Sequence, residues 1–304
     1  MIGFSVPSPP SPNPNWALSV TVRCEDARMP SPITKLASLR AELSTYGSVV
    51  VAYSGGVDSS LLACVAHETL GSRALAVTAV SPSLPRAELE AARAVADSRG
   101  WRHRVVGTHE VAREEYARND SDRCYWCKDT LFETLTPIAS DLGAVIAVGT
   151  NVDDLGEHRP GLRAAAERAA RHPLVEAGLT KAEIRVLSAD MGLPTAEKPA
   201  GPCLASRFAY GVRVTPKGLR RVEEAEAFMH GHGFDVVRVR DEGDKARIEV
   251  EVTMLDRALE LEPAIRAHLE GLGYERVEVD RGGYRRGSLN EALLHPTMRP
   301  VAPG

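Results

Sequence analysis

Apolar positions along this chain fall into two alternating rhythms. From residue 33, "ITKLASLRAELSTYG" spaces them at helical intervals and stops at Gly47, and "SVVVAY" then runs apolar without alternation. The first rhythm reads as an amphipathic helix and the second as a strand buried on both faces. The order repeats, with a helix in "DSSLLACVAHETLG", a strand in "RALAVTAV", a helix in "PRAELEAARAVADSRG" opened by Pro85 and closed by Gly100, and a strand in "RHRVVGT". "CKDTLFETLTPIASDLG" predicts a helix that its interior Pro137 should bend or divide, and "AVIAVGTN" predicts a further strand. Strands separated by helices imply parallel pairing with right-handed crossovers. The pattern therefore predicts an α/β, doubly wound parallel sheet with its ligand crevice at the C-terminal strand ends.

After "LTKAEIRVLSADMGLP" the order changes. "TPKGLRRVEEAEAFMHGHG" is helical, "FDVVRVR" and "ARIEVEV" read as strands joined by the turn "DEGDK", "DRALELEPAIRAHLEGLG" is helical, and "YERVEVD" is a strand. An α-β-β-α-β order predicts a smaller C-terminal α+β domain with its helices on one face of the sheet. The expected organisation is a disordered leader over residues 1–30, a nucleotide-binding domain over 31–210, the α+β domain over 211–292 and a flexible tail over 293–304. The leader is dense in Pro, Ser and Asn and shows no apolar period, so ordering it would not be offset by burial.

Composition narrows the class. With 304 residues and 43% hydrophobic content the chain can fill real cores, and 37 basic against 41 acidic residues give a formal charge of −4. That balance speaks against a nucleic-acid partner. No apolar run approaches the roughly 18 residues of a membrane span, and the N-terminus lacks a charged-then-apolar signal, so a cytoplasmic protein with no membrane partner is expected. Five cysteines are an odd number, and in a reducing compartment they point to ligands, reactive thiols or core residues. Cys24, in the leader, reads as an incidental thiol, and Cys64, within "LLACVAH", as a buried small hydrophobe.

The chemistry starts at "SGGVDSS", residues 54–60, set between a strand and a helix. Gly55 and Gly56 let the backbone approach phosphate oxygens, the helix N-terminus supplies free N–H groups, and Ser54, Ser59 and Ser60 add hydroxyl donors. The sequence has neither a Gly-Lys-Ser/Thr of a Walker loop nor a G-x-G-x-x-G. Asp58 beside phosphates makes sense if Mg²⁺ bridges them.

Three further cysteines form a pattern. Cys124 and Cys127 are a C-x₂-C pair, and Cys203 lies in "GPCLASR". Three thiolates without an obvious fourth ligand suit an iron–sulfur cluster with one open position, while a structural zinc site and a persulfide or disulfide relay remain open on residue type alone. Ser206 and Arg207 follow Cys203 closely, and an arginine beside the sulfur donor can bind a carboxylate or phosphate bidentately. Arg238 and Arg240 are two apart on a predicted strand, so both project from one face and together suit a substrate phosphate.

"SGGVDSS" resembles the pyrophosphate loop of the PP-loop ATP pyrophosphatases, which split ATP between its α and β phosphates. Together with "AVTAVSPSLPRAELEAA", "DRCYWCK", "GTNVDDLGEHRPGLRAAAE", "KPAGPCLASRFAYG" and "VRVRDEGDKARIEVE", the chain over roughly residues 33–290 resembles the LarE family of ATP-dependent sulfur transferases. The resemblance implies ATP and Mg²⁺ as cofactors and a small nucleotide as substrate, pyridinium-3,5-biscarboxylic acid mononucleotide, whose carboxylates become thiocarboxylates of a nickel-pincer cofactor. It implies a nucleotide site that includes Thr78, Thr150 and Asn151, with Asp153 and Asp154 near the metal, and it implies a homo-oligomer. Members with a single cysteine matching Cys203 give up its sulfur, whereas three-cysteine members resemble 4Fe–4S enzymes. The pattern here is the three-cysteine one, with Cys203, Asp58 and Arg207 expected at the reacting groups. Glu242 stands where the family pattern has histidine.

Overall fold

The computed structural model of the chain describes residues 30–156, 160–285 and Gly287. The expected leader short of Pro30, with Cys24, and the expected tail lie outside the described residues. Helix α1 (Pro32–Thr45) leads into β1 (Val49–Ala52), α2 (Val57–Leu70), β2 (Ala74–Val80), α3 (Arg86–Ser98) and β3 (His103–Gly107). A single turn, α4 (Glu114–Ala117), precedes α5 (Arg123–Asp141), β4 (Val145–Val148), α6 (Pro160–Glu167), α7 (Pro173–Glu176) and α8 (Lys181–Asp190). The four strands pair in parallel in the order β3-β2-β1-β4. The chain winds outward from β1 through β2 to β3 and then returns to the other side of β1. That reversal opens a crevice at the C-terminal ends of β1 and β4.

Both faces of this sheet are covered, which is why its strands lack polar alternation. Val49, Val51, Ala74 and Ala76 pack with Leu39, Leu61 and Ile184 from α1, α2 and α8. Val50, Leu75 and Val77 point the other way, onto Phe132, Leu135 and Ala164 from α5 and α6. Helix α5 starts four residues before its expected onset at Cys127 and runs undivided through Pro137. Pro137 and Glu133 both lie on the exposed face, so the carbonyl that loses its N–H partner is on the solvent side.

The second part follows the predicted order except that the helix expected over "DRALELEPAIRAHLEGLG" is broken in two at Leu261, just ahead of Pro263: α9 (Pro216–Gly231), β5 (Val237–Asp241), β6 (Lys245–Val250), α10 (Leu255–Glu260), α11 (Glu262–Gly271) and β7 (Arg276–Val279). Strand β5 is antiparallel to β6, and β6 is parallel to β7. One face of this sheet, with Val237, Val239, Ala246 and Ile248, packs on Met229, Phe234, Ile265 and Leu269. The opposite face carries Arg238, Arg240, Arg247 and Glu249, which share a side because Arg238 faces Glu249 and Arg240 faces Arg247 across the ladder. A fourth apolar cluster, with Tyr116, Leu204, Ala205, Phe208, Leu219 and Val222, joins α4 and α9 to the segment after Cys203. Among the described residues no helix is long and apolar enough to cross a membrane.

Candidate functional site

The turn after β1 is built for close approach. Gly55 has φ +73°, in the left-handed region, and a Cβ there would lie 2.8 Å from Ala92 Cβ. Gly56 caps α2 without any side-chain hydrogen bond, leaving the first N–H groups of the helix to a ligand. Ser54 and Ser59 hydroxyls meet at 3.0 Å, and the Ser54 N–H donates to Ser59 Oγ at 3.2 Å. Ser60 is buried behind them. From the neighbouring strand, Gly149 presses on the turn, since a Cβ there would stand 2.9 Å from Ser59 N. Residue pattern alone did not single out Gly149.

Asp58, on the first turn of α2, faces the loop after β4. Asn151 Nδ2 donates to its Oδ1 at 3.1 Å, and Lys181 Nζ, at the start of α8, donates to its Oδ2 at 2.5 Å. Asn151 is itself fixed, with its N–H on Asp154 Oδ2 at 3.1 Å and its Oδ1 accepting from Asp153 N at 2.9 Å. Asp153 in turn accepts the Lys181 N–H at 2.7 Å. The sequence reading thus brings Asp58, Asn151, Asp153 and Asp154 together beside half-buried Thr150, but it missed Lys181. The available signal was "TKAE", a capping box that places a helix start at the crevice, and Thr180 and Glu183 do form that box. Thr78 is buried, and its hydroxyl donates to Tyr53 O at 2.9 Å and meets His103 Nε2 at 2.8 Å, so its side chain is taken up within the sheet.

Cys124 is exposed and Cys127 half-buried, one turn apart at the start of α5, and Cys203 is half-buried just before the single 3₁₀ turn Leu204–Arg207. Cys127 and Cys203 pack against the same apolar wall of Tyr116, Leu204 and Ala205. Two residues that sequence reasoning missed join these elements. Arg123 is buried and donates to Ala205 O at 2.8 Å and to Asn119 Oδ1. Asn119, with φ +62°, donates to Ala209 O at 2.7 Å and Val212 O at 3.0 Å. Burial, with Cys203 next, pushes the Cys127 thiol up to about 12. Burial works against the Arg123 charge, yet Cys203, Cys124, Tyr116 and Tyr210 together raise that guanidinium above its ordinary value. A buried cation beside the Cys124 and Cys203 thiols and an apolar wall fits a group that carries negative charge on thiolate ligands. Among the described residues, no three His, Cys, Asp or Glu side chains converge to hold a single metal ion. Cys64 is buried in the core, where burial pushes its thiol up to about 11.

The three arginines read from the sequence have different surroundings. Arg207 is buried in a bidentate pair with Glu226 at 2.9 and 2.8 Å, and it also donates to the carbonyls of Pro202 and Cys203. Arg240 is buried against Glu249 Oε2 and donates to Ser206 O at 3.2 Å. Ser206 Oγ donates to Cys203 O at 2.7 Å. In this arrangement Arg207, Arg240 and Ser206 hold the Cys203 turn. Arg238 has no carboxylate within hydrogen-bonding distance among the described residues; it donates to its neighbour's carbonyl and lies 5.3 Å from the Tyr284 ring. Burial and the nearby Arg207 charge depress its guanidinium. It is the arginine of the three best placed to take an anion. Glu242 is bonded to Arg247 at 2.7 Å.

Lys198 also escaped the sequence reading. Its Nζ donates to the Gly55 carbonyl at 3.0 Å and to Glu88 Oε2 at 2.6 Å.

Known proteins resemble this chain over most of its length. A family model described as asparagine synthase matches residues 36–140, from α1 almost to the end of α5. The chain is 43% identical over 264 residues to an uncharacterized protein of Synechocystis, covering 86% of this chain and 98% of that one. It is 33% identical over 271 residues to the pyridinium-3,5-bisthiocarboxylic acid mononucleotide synthase of Lactiplantibacillus plantarum, covering 88% and 98%. A tRNA-specific 2-thiouridylase of Azorhizobium caulinodans is 33% identical over 191 residues, half of this chain and 48% of that enzyme.

Proposed function

The chain belongs to the LarE family of PP-loop ATP-dependent sulfur transferases, and from that premise we propose that it adenylates the carboxylates of pyridinium-3,5-biscarboxylic acid mononucleotide and turns them into thiocarboxylates. The product would serve a nickel-pincer cofactor. One observation carries the reading: Arg123, on the helix of Cys124 and Cys127, ties that helix to the Cys203 turn, which supports treating the two distant segments as one sulfur site.

Ser54, Gly55, Gly56, Ser59 and Ser60 bind the triphosphate, and Thr78, Thr150 and Asn151 line the nucleoside side. Mg²⁺ held by Asp58 and Asp154 would supply charge neutralisation for the leaving pyrophosphate. A substrate carboxylate oxygen attacks the α-phosphorus and the bond to the β-phosphate breaks, with loop N–H groups receiving the charge. The acyl adenylate matters because a carboxylate oxygen is a poor leaving group and AMP is a good one. Arg238 takes the substrate phosphate, with Arg240 beside it. Ser206 and Arg207 hold the Cys203 turn so that sulfur presented there reaches the acyl carbon and AMP departs. A 4Fe–4S cluster on Cys124, Cys127 and Cys203 would supply that sulfur in replaceable form. The reading extends to a cytoplasmic homo-oligomer.

Anaerobic purification followed by iron and sulfide analysis tests the sulfur source, with Cys127→Ala as control. About four irons per chain, lost in the variant, is the expected result. Iron-free protein in which Cys203 loses its own sulfur after ATP and substrate would replace the cluster with sacrifice of the thiol. Failure to form AMP and pyrophosphate from ATP when substrate is added would overturn the proposal.

A further inference from the structure

We propose that Lys198 is a positioning residue that couples nucleotide occupancy of the phosphate turn to the placement of the Cys203 turn. The inference rests on the nucleotide-binding reading above and adds to it an order of events, with adenylation ahead of sulfur presentation.

Four contacts converge on one place. The Lys198 ammonium bridges the Gly55 carbonyl, on the phosphate turn itself, and the Glu88 carboxylate on α3. Gly201 lies over the same carboxylate, where a Cβ would stand 3.3 Å from Glu88 Oε1. Gly55 rests on Ala92, one turn further along α3. Arg185 of α8 holds the main chain at this point, donating to Lys198 O at 2.9 Å. One turn of α3 thus supports both the phosphate turn and the strap that leads to Cys203.

The strap is short and stiff. Lys198 to Cys203 is "KPAGPC", without regular structure and with two prolines that fix φ. Five residue steps span at most about 17 Å, so Cys203 stays within that reach of Lys198, and the two prolines leave the strap little freedom to take up movement between them. Beyond Cys203 the chain is tied again, with Leu204 N on Ser83 O at 2.9 Å and Arg207 on Glu226. The ammonium is shared between a neutral carbonyl on the phosphate turn and an anionic carboxylate on α3. A triphosphate seated in the turn places negative charge on the Gly55 side and draws the ammonium toward it. The strap then tightens over the new adenylate.

Hydrogen exchange of the intact protein, read with and without Mg²⁺ and the α,β-methylene analogue of ATP, tests this. In the wild type the analogue should slow exchange of the phosphate-turn amides and also of residues 200–206, by about tenfold, the order expected for a charge-assisted hydrogen bond. In Lys198→Met the phosphate turn should still be protected while the effect on residues 200–206 disappears, and Lys198→Arg should restore it. A methionine variant that keeps both responses would overturn the coupling. So would one that loses both, because Lys198 would then be part of nucleotide binding itself. Absence of protection at the phosphate turn of the wild type would instead sink the nucleotide-binding reading.

Discussion

Gly149, just past the end of β4, stands against the phosphate turn. A methyl there would stand 2.9 Å from Ser59 N and 3.2 Å from the Asp58 carbonyl carbon, both main-chain atoms with no rotamer to yield. Gly149→Ala should therefore cost about 1–3 kcal/mol of stability and displace the start of α2. Thermal unfolding and ATP titration by calorimetry check the two effects, and a variant that matches wild type in both would show that the turn has slack. Gly55 and Gly56 are legible from the sequence because a strand-to-helix turn with paired glycines and serines has few other uses. The need for Gly149 arises only when β4 and α2 meet, and no local spacing records that meeting. Arg207 and Arg240 illustrate the same limit. Their residue type suggests anion binding, but their partners Glu226 and Glu249 lie 19 and 9 residues away, set by how α9 and β6 pack.

Helix α8 is held at its N-terminus by the Thr180–Glu183 capping box, and that end carries Lys181 to Asp58. Replacing Thr180 with Ala should cost about 1 kcal/mol and loosen Lys181, which urea unfolding and the magnesium dependence of ATP binding would report. Glu183 also makes the helix acid-sensitive. Burial works to raise its carboxyl, but the Lys35 ammonium at 2.8 Å and two bonds from Thr180 hold it below its ordinary value of 4.5. A carboxyl depressed by folding adds stability that is present above the unfolded value and is lost as pH falls through the folded one. The stability difference between wild type and Lys35→Met should thus be constant near neutral pH and shrink below about pH 4.5. A difference that persists into acid would mean that the pair stabilises by packing alone. The elements themselves were well signalled by apolar period, down to Pro85 ahead of α3. The early start of α5 was not, because "DRCYW" shows no helical apolar period and its turn is held by a local bond from the Trp126 indole N–H to Asp122 and by a tertiary bond from Arg123 to the Ala205 carbonyl.

At the scale of the molecule, two sheets with separate apolar cores are linked across the Cys203 turn by polar bonds of unequal worth. Arg86 and Glu223 form an exposed link, for which about 0.2–1 kcal/mol is the ordinary range. Arg207 and Glu226 form a buried one, with side chains 5% and 8% exposed. Glu226→Ala leaves a guanidinium and the Val239 N–H without their carboxylate, and should cost roughly 3–5 kcal/mol, whereas Glu223→Ala, which removes the acceptor of the Arg86 N–H at the start of α3, should cost only about 1 kcal/mol. Chemical denaturation of the two variants side by side checks the contrast, and equal effects would contradict it. The doubly wound topology and the smaller second sheet were legible from element order, since helix-separated apolar strands leave few alternatives. The way the sheets share one turn was not, because it depends on side chains from α3, α5, α9 and β5 meeting in space.

That shared turn has a consequence for damaged or half-made chains. The phosphate cradle belongs to the first sheet alone, whereas Cys203 is suspended between Lys198 on one side and Arg207 and Arg240 on the other. Under the proposed function, a chain nicked or stalled before α9 would keep the phosphate turn and lose the Glu226 and β5 tethers of the Cys203 turn. Sulfur would then be presented only by a finished molecule, a safeguard written into the connectivity rather than into any single residue.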